Sequence, residues 1–171
     1  MKIVSALIFF VMGAHAFAQE AAPGPAPELK QLEWQLGNWE GTFKWTMPGM
    51  EGDAKMTFTT AWEGNFLKTS SVMEMAGMKF NEVSYMGWDP SKKEYVSWTF
   101  TNFAAMPRIE RGKLDGNKLV LVSDPWDTGM GQMISRGTTI KKSNKEASFT
   151  IEFKNGEKWD KAAEGTFKKK S

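Results

Sequence analysis

The chain of 171 residues contains no cysteine and a single histidine, His15. The absence of cysteine excludes disulfide bonds, thiolate metal sites, iron–sulfur clusters and cysteine nucleophiles. His15 lies in an N-terminal segment that has the pattern of a cleaved signal. Without it, the remaining chain has no Ser-His-Asp triad and no histidine-bearing zinc site. We therefore expect a protein that is not an enzyme, with no catalytic residues, no bound metal and no cofactor.

The N-terminal segment, residues 1–18, has the features of a secretory signal peptide. Lys2 gives it a positive start, residues 3–12 form an apolar run, and a small–x–small cleavage site ends at Ala18. An uncleaved membrane anchor is the alternative, but the run is short for a bilayer core of roughly 30 Å. We expect a periplasmic or secreted protein with no membrane span after cleavage.

The charge of the chain is nearly balanced, with 22 basic and 20 acidic residues. The only basic cluster is the C-terminal run at residues 168–170. A near-neutral chain without a basic face lacks the electrostatic pattern of nucleic-acid-binding proteins. We therefore expect no nucleic-acid partner, and the pattern predicts no particular oligomeric state.

A flexible leader and a short helix are predicted before the main domain, which spans residues 28–171. Prolines at alternate positions keep residues 19–27 extended. Leucines at positions 29, 32 and 36 share one face of a helix over residues 28–36. Because about two turns are not stable alone, this helix must dock on the rest of the domain.

The rest of the chain alternates apolar and polar residues with a period of two, which is typical of strands. The clearest strand covers residues 39–47, and residues 124–131 are predicted to be a loop. A change of apolar parity near Glu82 predicts a β-bulge. The other strands are predicted at residues 55–62, 66–75, 78–88, 95–101, 108–114, 118–123, 132–140, 148–153 and 159–167.

Short turns join these strands, which predicts an all-β fold with an antiparallel meander of about ten strands. Closing the meander into a barrel would remove both exposed edges. The short N-terminal helix would then cap one end of the barrel. A two-sheet sandwich is the alternative, although sandwiches usually need longer crossovers.

The opening motif, in which a short helix precedes Gly37-x-Trp39 on the first strand, resembles that of calycin barrels such as lipocalins and nitrobindin-like proteins. More specifically, the chain resembles the bacterial family called domain of unknown function 1579. That family is a lipocalin-like group of mostly exported proteins without an established activity, so the resemblance implies an exported lipocalin-like barrel. The matching stretches are residues 36–41, 47–50, 64–67, 87–95 and 123–125.

The chain departs from these relatives at two sites. Lipocalins place an arginine of the last strand over the tryptophan of Gly-x-Trp, and here the resemblance leaves only Lys161 or Lys168 to cover Trp39. Nitrobindin-like proteins hold heme iron through a histidine. Since His15 lies in the predicted signal, that ligation does not carry over.

Aromatic and methionine side chains on the strands favour a cavity for a small apolar or amphipathic molecule. Arg136 is expected to point inward and to touch a polar group of that ligand. A dry, filled core is the alternative, since burial of such side chains also stabilises a fold. The predicted lining residues are Trp45, Met47, Trp62, Met73, Met75, Met86, Trp98 and Phe100.

Three other functions remain open. Methionines at positions 47, 50, 73, 75 and 78 cluster around two turns, and thioethers suit Cu(I), so a copper-binding protein is the main alternative. An enzyme using inward carboxylates is another, although Glu74, Glu82, Glu110 and Glu152 are expected to face solvent. A structural envelope protein acting through its outer surface is the last.

Overall fold

The computed structural model describes residues 24–47, 49, 51–128 and 131–170. The predicted signal, residues 1–18, and most of the predicted leader lie outside the described residues. Among the residues that are described, no helix is both long and apolar enough to cross a membrane.

The N-terminal helix is shorter than the sequence pattern predicts. Helix α1 covers only Pro27–Lys30, and a separate 3₁₀ turn covers Glu33–Gln35. The prediction of one helix over residues 28–36 is therefore wrong, because Leu32 has φ −97° and ψ 5° and interrupts it. The leucine face survives this break, since Leu29 and Leu32 are both fully buried.

Twelve strands follow in the described part of the chain. They are β1 (Gly37–Trp45), β2 (Gly52–Glu63), β3 (Phe66–Met75), β4 (Met78–Asp89), β5 (Glu94–Thr101), β6 (Arg108–Asp115), β7 (Lys118–Ser123), β8 (Trp126–Asp127), β9 (Gln132–Met133), β10 (Ser135–Lys141), β11 (Glu146–Asn155) and β12 (Lys158–Lys169).

Ten of these described strands form a closed barrel in the order β1-β12-β11-β10-β7-β6-β5-β4-β3-β2. Every neighbouring pair in the barrel is antiparallel, so the predicted closed meander of about ten strands is confirmed. Strands β8 and β9 follow β7 and precede β10 in the sequence, and they form a two-stranded ribbon separate from the barrel. The sequence pattern missed this ribbon, because it treated residues 124–131 as a loop and residues 132–140 as one strand.

The bulge predicted near Glu82 is wrong. The pairing of β3 with β4 runs without a shift from Leu67↔Met86 to Met75↔Met78. The register shift in the barrel lies instead between β11 and β12, at Ile151/Glu152. The apolar parity of β4 changes because the inner face of the barrel becomes polar there, with Glu82 on the same side as Met86.

The N-terminal segment closes one end of the barrel. Leu29 and Leu32 pack against Leu67, Tyr95 and Leu119, which lie near the starts of β3, β5 and β7. The Tyr95 hydroxyl donates a hydrogen bond of 2.8 Å to the carbonyl oxygen of Glu28. These contacts anchor the plug, which we define as residues 27–35, over the hairpin turns at this end.

A lysine covers Trp39 at the plugged end, but it is Lys169 rather than Lys161 or Lys168. Its Nζ lies 5.1 Å from the centroid of the Trp39 ring and donates a 3.0 Å hydrogen bond to the Trp34 carbonyl. The register explains the correction, because Trp39 pairs directly with Lys169 and both side chains therefore share one face.

Two glycines let strands β1 and β12 approach closely. A Cβ atom on Gly41 would lie 2.3 Å from the Thr166 carbonyl oxygen, and one on Gly165 would lie 2.3 Å from that of Thr42. This approach allows Phe43 and Phe167 to pack edge to face, with ring centroids 6.3 Å apart. The seam that closes the barrel is thus also packed by aromatic rings.

Candidate functional site

The barrel encloses a cavity of about 670 Å³. Its lining side chains come from alternate positions of the barrel strands, as strand geometry requires for residues on one face. The cavity is bounded by two contrasting surfaces, one apolar and one polar, which face each other across the interior.

The apolar wall is built by β1, β2, β11 and β12. Trp39 stacks on Phe58 at a centroid distance of 5.9 Å with an interplanar angle of 5°. Phe58 also meets Phe167 edge to face at 5.1 Å. We define the apolar wall as Trp39, Phe43, Trp45, Phe58, Phe149 and Phe167, all of which line the cavity.

The polar wall is built by β4, β5, β6 and β10 and centres on an ion-pair trio. The Arg108 Nη1 lies 3.8 Å from the Glu82 Oε1, and the Arg108 Nε lies 3.3 Å from the Glu110 Oε2. The Thr99 hydroxyl donates a 3.5 Å hydrogen bond to the same Glu110 oxygen. We define the polar wall as Glu82, Ser97, Thr99, Arg108, Glu110 and Ser135.

The ion-pair trio lies deep in the protein. The side chains of Arg108, Glu82 and Glu110 are 18%, 25% and 12% exposed, and what remains exposed faces the cavity. Arg108 starts β6, whose other end reaches Leu114 beside the plug. The trio therefore lies toward the end of the barrel opposite the plug.

Burial dominates the electrostatics of the trio. It raises the pKa of Glu82 above the ordinary value, although the Arg108 charge acts to lower it and Glu110 raises it further. Burial alone would lower the pKa of Arg108, but the carboxylates of Glu110 and Glu82 outweigh it and raise the pKa. Arg108 therefore stays cationic, and burial makes the Glu82 carboxyl easier to protonate than an exposed glutamate.

Several residues that line the cavity have a buried polar atom with no hydrogen-bond partner within the described chain. These atoms are the Trp45 Nε1, the Trp126 Nε1, the Ser135 Oγ and the Arg108 Nε. The Arg108 Nε is close to Glu110 but is not aligned for a hydrogen bond. A buried polar group without a partner costs about 1–3 kcal/mol, so each of these atoms favours a bound molecule that supplies one.

Four of the nine predicted ligand contacts line the cavity, namely Trp45, Met47, Met73 and Met86. Trp62 does not, because it packs against the plug with Leu29 and Leu32. Met75 is 4% exposed and is packed in the core cluster that contains Trp45. Whether the four lining residues contact a ligand stays a prediction.

The prediction that Trp98, Phe100 and Arg136 point inward is wrong. On β5 the cavity is lined by Ser97 and Thr99, so the neighbouring positions face outward, and Phe100 is 50% exposed. The Trp98 ring meets the exposed Phe66 at 6.3 Å. These apolar residues misled the sequence pattern because the apolar stripe of β5 is on its outer face.

Arg136 forms an outer-surface cluster instead of a ligand contact. Its Nε donates a 2.6 Å hydrogen bond to the Glu152 Oε2, which lowers the pKa of the Glu152 carboxyl. The Arg136 guanidinium also lies 4.4 Å from the centre of the Trp159 ring. Neighbouring Ser135 and Gly137 line the cavity, so strand alternation places Arg136 outside.

The sequence pattern missed the ion-pair trio. It expected Glu82 and Glu110 to face solvent, which is wrong for both, and it did not place Arg108 inside. The signal was present in β4, where the inward positions continue in steps of two from Met86 through Glu82 to Phe80. Glu74 and Glu152, in contrast, do not line the cavity.

The methionine cluster is split by the fold. Met47, Met73 and Met78 line the cavity, Met75 is packed in the core, and Met50 lies outside the described residues. In the described part of the chain, no group of three or more His, Cys, Asp or Glu side chains is placed to hold a metal. A methionine-only copper site stays a prediction.

Comparison with known proteins identifies the family. Residues 24–169 match a family described as "Protein of unknown function (DUF1579)". The fold is similar to that of the crystal structure of Rv2717c from M. tuberculosis, with a TM-score of 0.68 and 16% identity over 86% of this chain and 99% of that one. A redesigned β-barrel, b11L5F_LGL, is more distant, with a TM-score of 0.40 and 11% identity over 81% and 94% of the two chains. No curated protein matches. The chain belongs to the DUF1579 family and folds as a closed antiparallel β-barrel.

Proposed function

We propose that this protein is an exported binding protein that holds one small amphipathic molecule inside its barrel and catalyses no reaction on it. The observation that carries the proposal is the cavity of about 670 Å³ with an apolar wall and a polar wall. Its volume is within the range of roughly 300–1,000 Å³ that is usual for small-molecule sites.

The apolar wall supports binding of an apolar body. Trp45 and Phe167 are buried members of the core cluster, yet both also border the cavity. A ligand that covers apolar surface on such a wall gains about 25 cal/mol for each Å² removed from water. Met47, Met73 and Met86 add flexible side chains that can adapt to the shape of the ligand.

The polar wall supports binding of a polar group on the same molecule. Trp126 and Ser135 line the cavity, and their Nε1 and Oγ atoms are buried without a hydrogen-bond partner in the described chain. Strand β10 carries Ser135 with its backbone N–H held by the Ser123 hydroxyl at 2.8 Å. The backbone of Ser135 is therefore held in place, while its buried hydroxyl would gain a hydrogen bond if a ligand group reached it.

Binding without catalysis is the better proposal because both interior carboxylates share one arginine as their charged partner. Glu82 and Glu110 both contact Arg108. A general base must reach a substrate proton and must be oriented by a partner that leaves it reactive. Export is proposed from the signal pattern of residues 1–18.

Native mass spectrometry of the protein recovered gently from its own cells tests the proposal. We expect an organic adduct of one molecule per chain. The Trp45→Ala variant should lose the adduct, because Trp45 borders the cavity. The matched Trp98→Ala variant should keep it, because Trp98 is on the outer face against Phe66.

Thermal unfolding of both variants separates binding from folding. The proposal requires Trp45→Ala to weaken binding by more than its loss of stability explains. An equal adduct in wild type and Trp45→Ala would contradict the proposed site. A copper adduct that disappears when Met73 and Met75 are replaced would favour the copper-binding alternative instead.

A further inference from the structure

We propose that the bound molecule is an amphipathic amine, whose protonated amino group lies against Glu82 and Glu110 on the polar wall. This inference rests on the proposed function and specifies the chemical class of its ligand. It follows from the charges that line the cavity, the way in which Arg108 is already paired, and the aromatic rings next to the trio.

The charges that line the cavity do not balance. Among the described lining residues, only Glu82, Arg108 and Glu110 carry charge. Two carboxylates share one guanidinium, so the trio carries one net negative charge when both carboxylates are ionised. A buried charge without a partner is costly unless the group takes up a proton or a cation compensates it. A ligand ammonium group would provide that compensation.

Arg108 is not available to attract an anion. Its guanidinium lies between the two carboxylates, 3.8 Å from Glu82 and 3.3 Å from Glu110. A ligand carboxylate approaching the guanidinium would meet both negative side chains at short range, where like charges repel strongly because the surroundings screen them poorly. The trio therefore selects against fatty acids and other amphipathic anions.

Aromatic rings continue from the trio along the cavity. Phe80 and Phe103 meet edge to face at 5.6 Å, and Phe103 lies 6.1 Å from Trp126. Phe80 is two residues before Glu82 on the same inward face of β4. Ring faces attract organic cations, more strongly where water is excluded, so this row and the carboxylates favour the same ligand charge.

An independent observation concerns two polar side chains that line the cavity. Trp126 and Ser135 are 7% and 5% exposed, and their Nε1 and Oγ atoms are buried without a hydrogen-bond partner in the described chain. The Trp126 ring also lies 5.2 Å from the Arg108 guanidinium. An oxygen or other acceptor next to the amino group would satisfy these atoms.

Isothermal titration of the full chain with decylamine, decanol and decanoate tests the inference at neutral pH. The three probes share one apolar chain and differ in the charge of the polar end. We expect decylamine to bind at least about tenfold more tightly than decanol, which corresponds to about 1.4 kcal/mol, and decanoate to bind most weakly.

The Glu82→Gln variant should remove most of the preference for decylamine over decanol. Glu152→Gln is the matched control, because Glu152 is also paired with an arginine but is on the outer face. It should keep the wild-type preference. Retention of the full preference in Glu82→Gln would overturn the assignment of the ammonium position.

The pH dependence of the wild-type protein gives a second test that does not depend on any variant. Only Arg108 and Glu110 face Glu82 with charge among the described lining residues. Decylamine stays protonated well above neutral pH, as amines with a pKa of about 10.4 do. Its affinity should therefore rise as the pH rises from 4.5, while Glu82 loses its proton, and decanol should show no such rise.

The outcomes separate the two proposals. If decanol or decanoate binds as tightly as decylamine, the amine inference is wrong while the binding function stands. If none of the three probes binds, and the protein from its own cells also carries no organic adduct, both proposals are wrong.

Discussion

The two walls of the cavity are built by the same kind of strand but differ in what they do for the fold. The apolar wall merges with the largest core cluster, where Trp39 and Phe43 are almost fully buried. The polar wall places Arg108, Glu82 and Glu110 inside the same barrel. A buried ion pair is often less stabilising than apolar residues of similar volume. The stability of the fold therefore does not explain why the interior has a polar wall.

The contrast between the two walls suggests a division of roles within one barrel, in which the apolar wall serves folding and the polar wall serves binding. Apolar packing and the plug account for closure of the barrel, because they bury Leu29, Leu32 and Trp39. The polar wall departs from the usual composition of protein interiors, in which glutamate and arginine are rarely buried. Such local violations are expected at functional sites, and the trio is where this chain concentrates them.

The largest loss of stability is expected from a substitution in the apolar wall. Trp39→Ala removes a side chain that is 1% exposed, stacks on Phe58 and donates a 2.8 Å hydrogen bond to the Gln35 carbonyl. We expect a loss of about 3–5 kcal/mol in the free energy of unfolding, as for other buried aromatic truncations. Urea unfolding measures it, and a loss below 1 kcal/mol would contradict the account of this wall.

The next largest loss of stability is expected from a substitution of Arg108, and it can be compared with the same substitution of Arg111 on the same strand. Arg108→Met leaves Glu82 and Glu110 buried without their cation, and we expect a loss of about 3 kcal/mol at neutral pH. Arg111→Met is the matched control, because Arg111 pairs with Glu94 and Asp124 on the outer side. It should cost at most about 1 kcal/mol. Similar losses for the two variants would contradict the inward placement of Arg108.

A smaller effect is expected from the protonation of Glu82. Because burial raises its pKa, the folded protein retains a proton that the unfolded chain has already lost. This contribution to stability is fully present below pH 4.5 and is lost as the pH rises through the raised pKa. The Glu82→Gln variant should lose this decrease of the unfolding free energy with rising pH, which urea unfolding at a series of pH values measures. If the variant shows the same pH dependence as the wild type, Glu82 is not the group responsible.

Glu152, on the outer face of the barrel, should change stability with pH in the opposite direction to Glu82. The hydrogen bond from Arg136 lowers its pKa, so its contribution is present above pH 4.5 and is lost as the pH falls through the lowered value. The Glu152→Gln variant should therefore change only the acid side of the stability profile. A change on the neutral side of the profile would show that the two carboxylates are not independent.

The smallest expected effect is at the plugged end. Lys169→Met removes the cation over Trp39 and the hydrogen bond to the Trp34 carbonyl. We expect a loss of about 1 kcal/mol in the free energy of unfolding. The Lys168→Met variant, which alters the exposed neighbour, should stay within about 0.5 kcal/mol. Equal changes would contradict the role of Lys169.

The sequence predicted the apolar half of the barrel well because its strands alternate cleanly. On β1, Trp39, Phe43 and Trp45 all face inward, as period-two alternation requires. The closed antiparallel meander and the family followed from the same patterns and motifs. Where the interior is apolar, hydrophobic periodicity is a direct guide to the inner face.

The polar half of the barrel was predicted poorly because hydrophobic periodicity does not mark the inner face of its strands. On β5, Trp98 and Phe100 are apolar but face outward, while Ser97 and Thr99 line the cavity. Which arginine points inward depends on the alternation of its strand, and the sequence interpretation chose Arg136 although Arg108 is the one that lines the cavity. The site is therefore made by the fold, since strand pairing across β4, β5 and β6 brings Glu82, Arg108 and Glu110 together.

A crystal structure of the protein purified from its own cells would test the central claim most directly. The account predicts elongated ligand density inside the barrel, with the apolar part against Trp45 and Phe167 and a polar end within hydrogen-bond distance of Glu82 or Ser135. Side chains that fill the interior, or a ligand seated only on the outer face near Trp98, would contradict it.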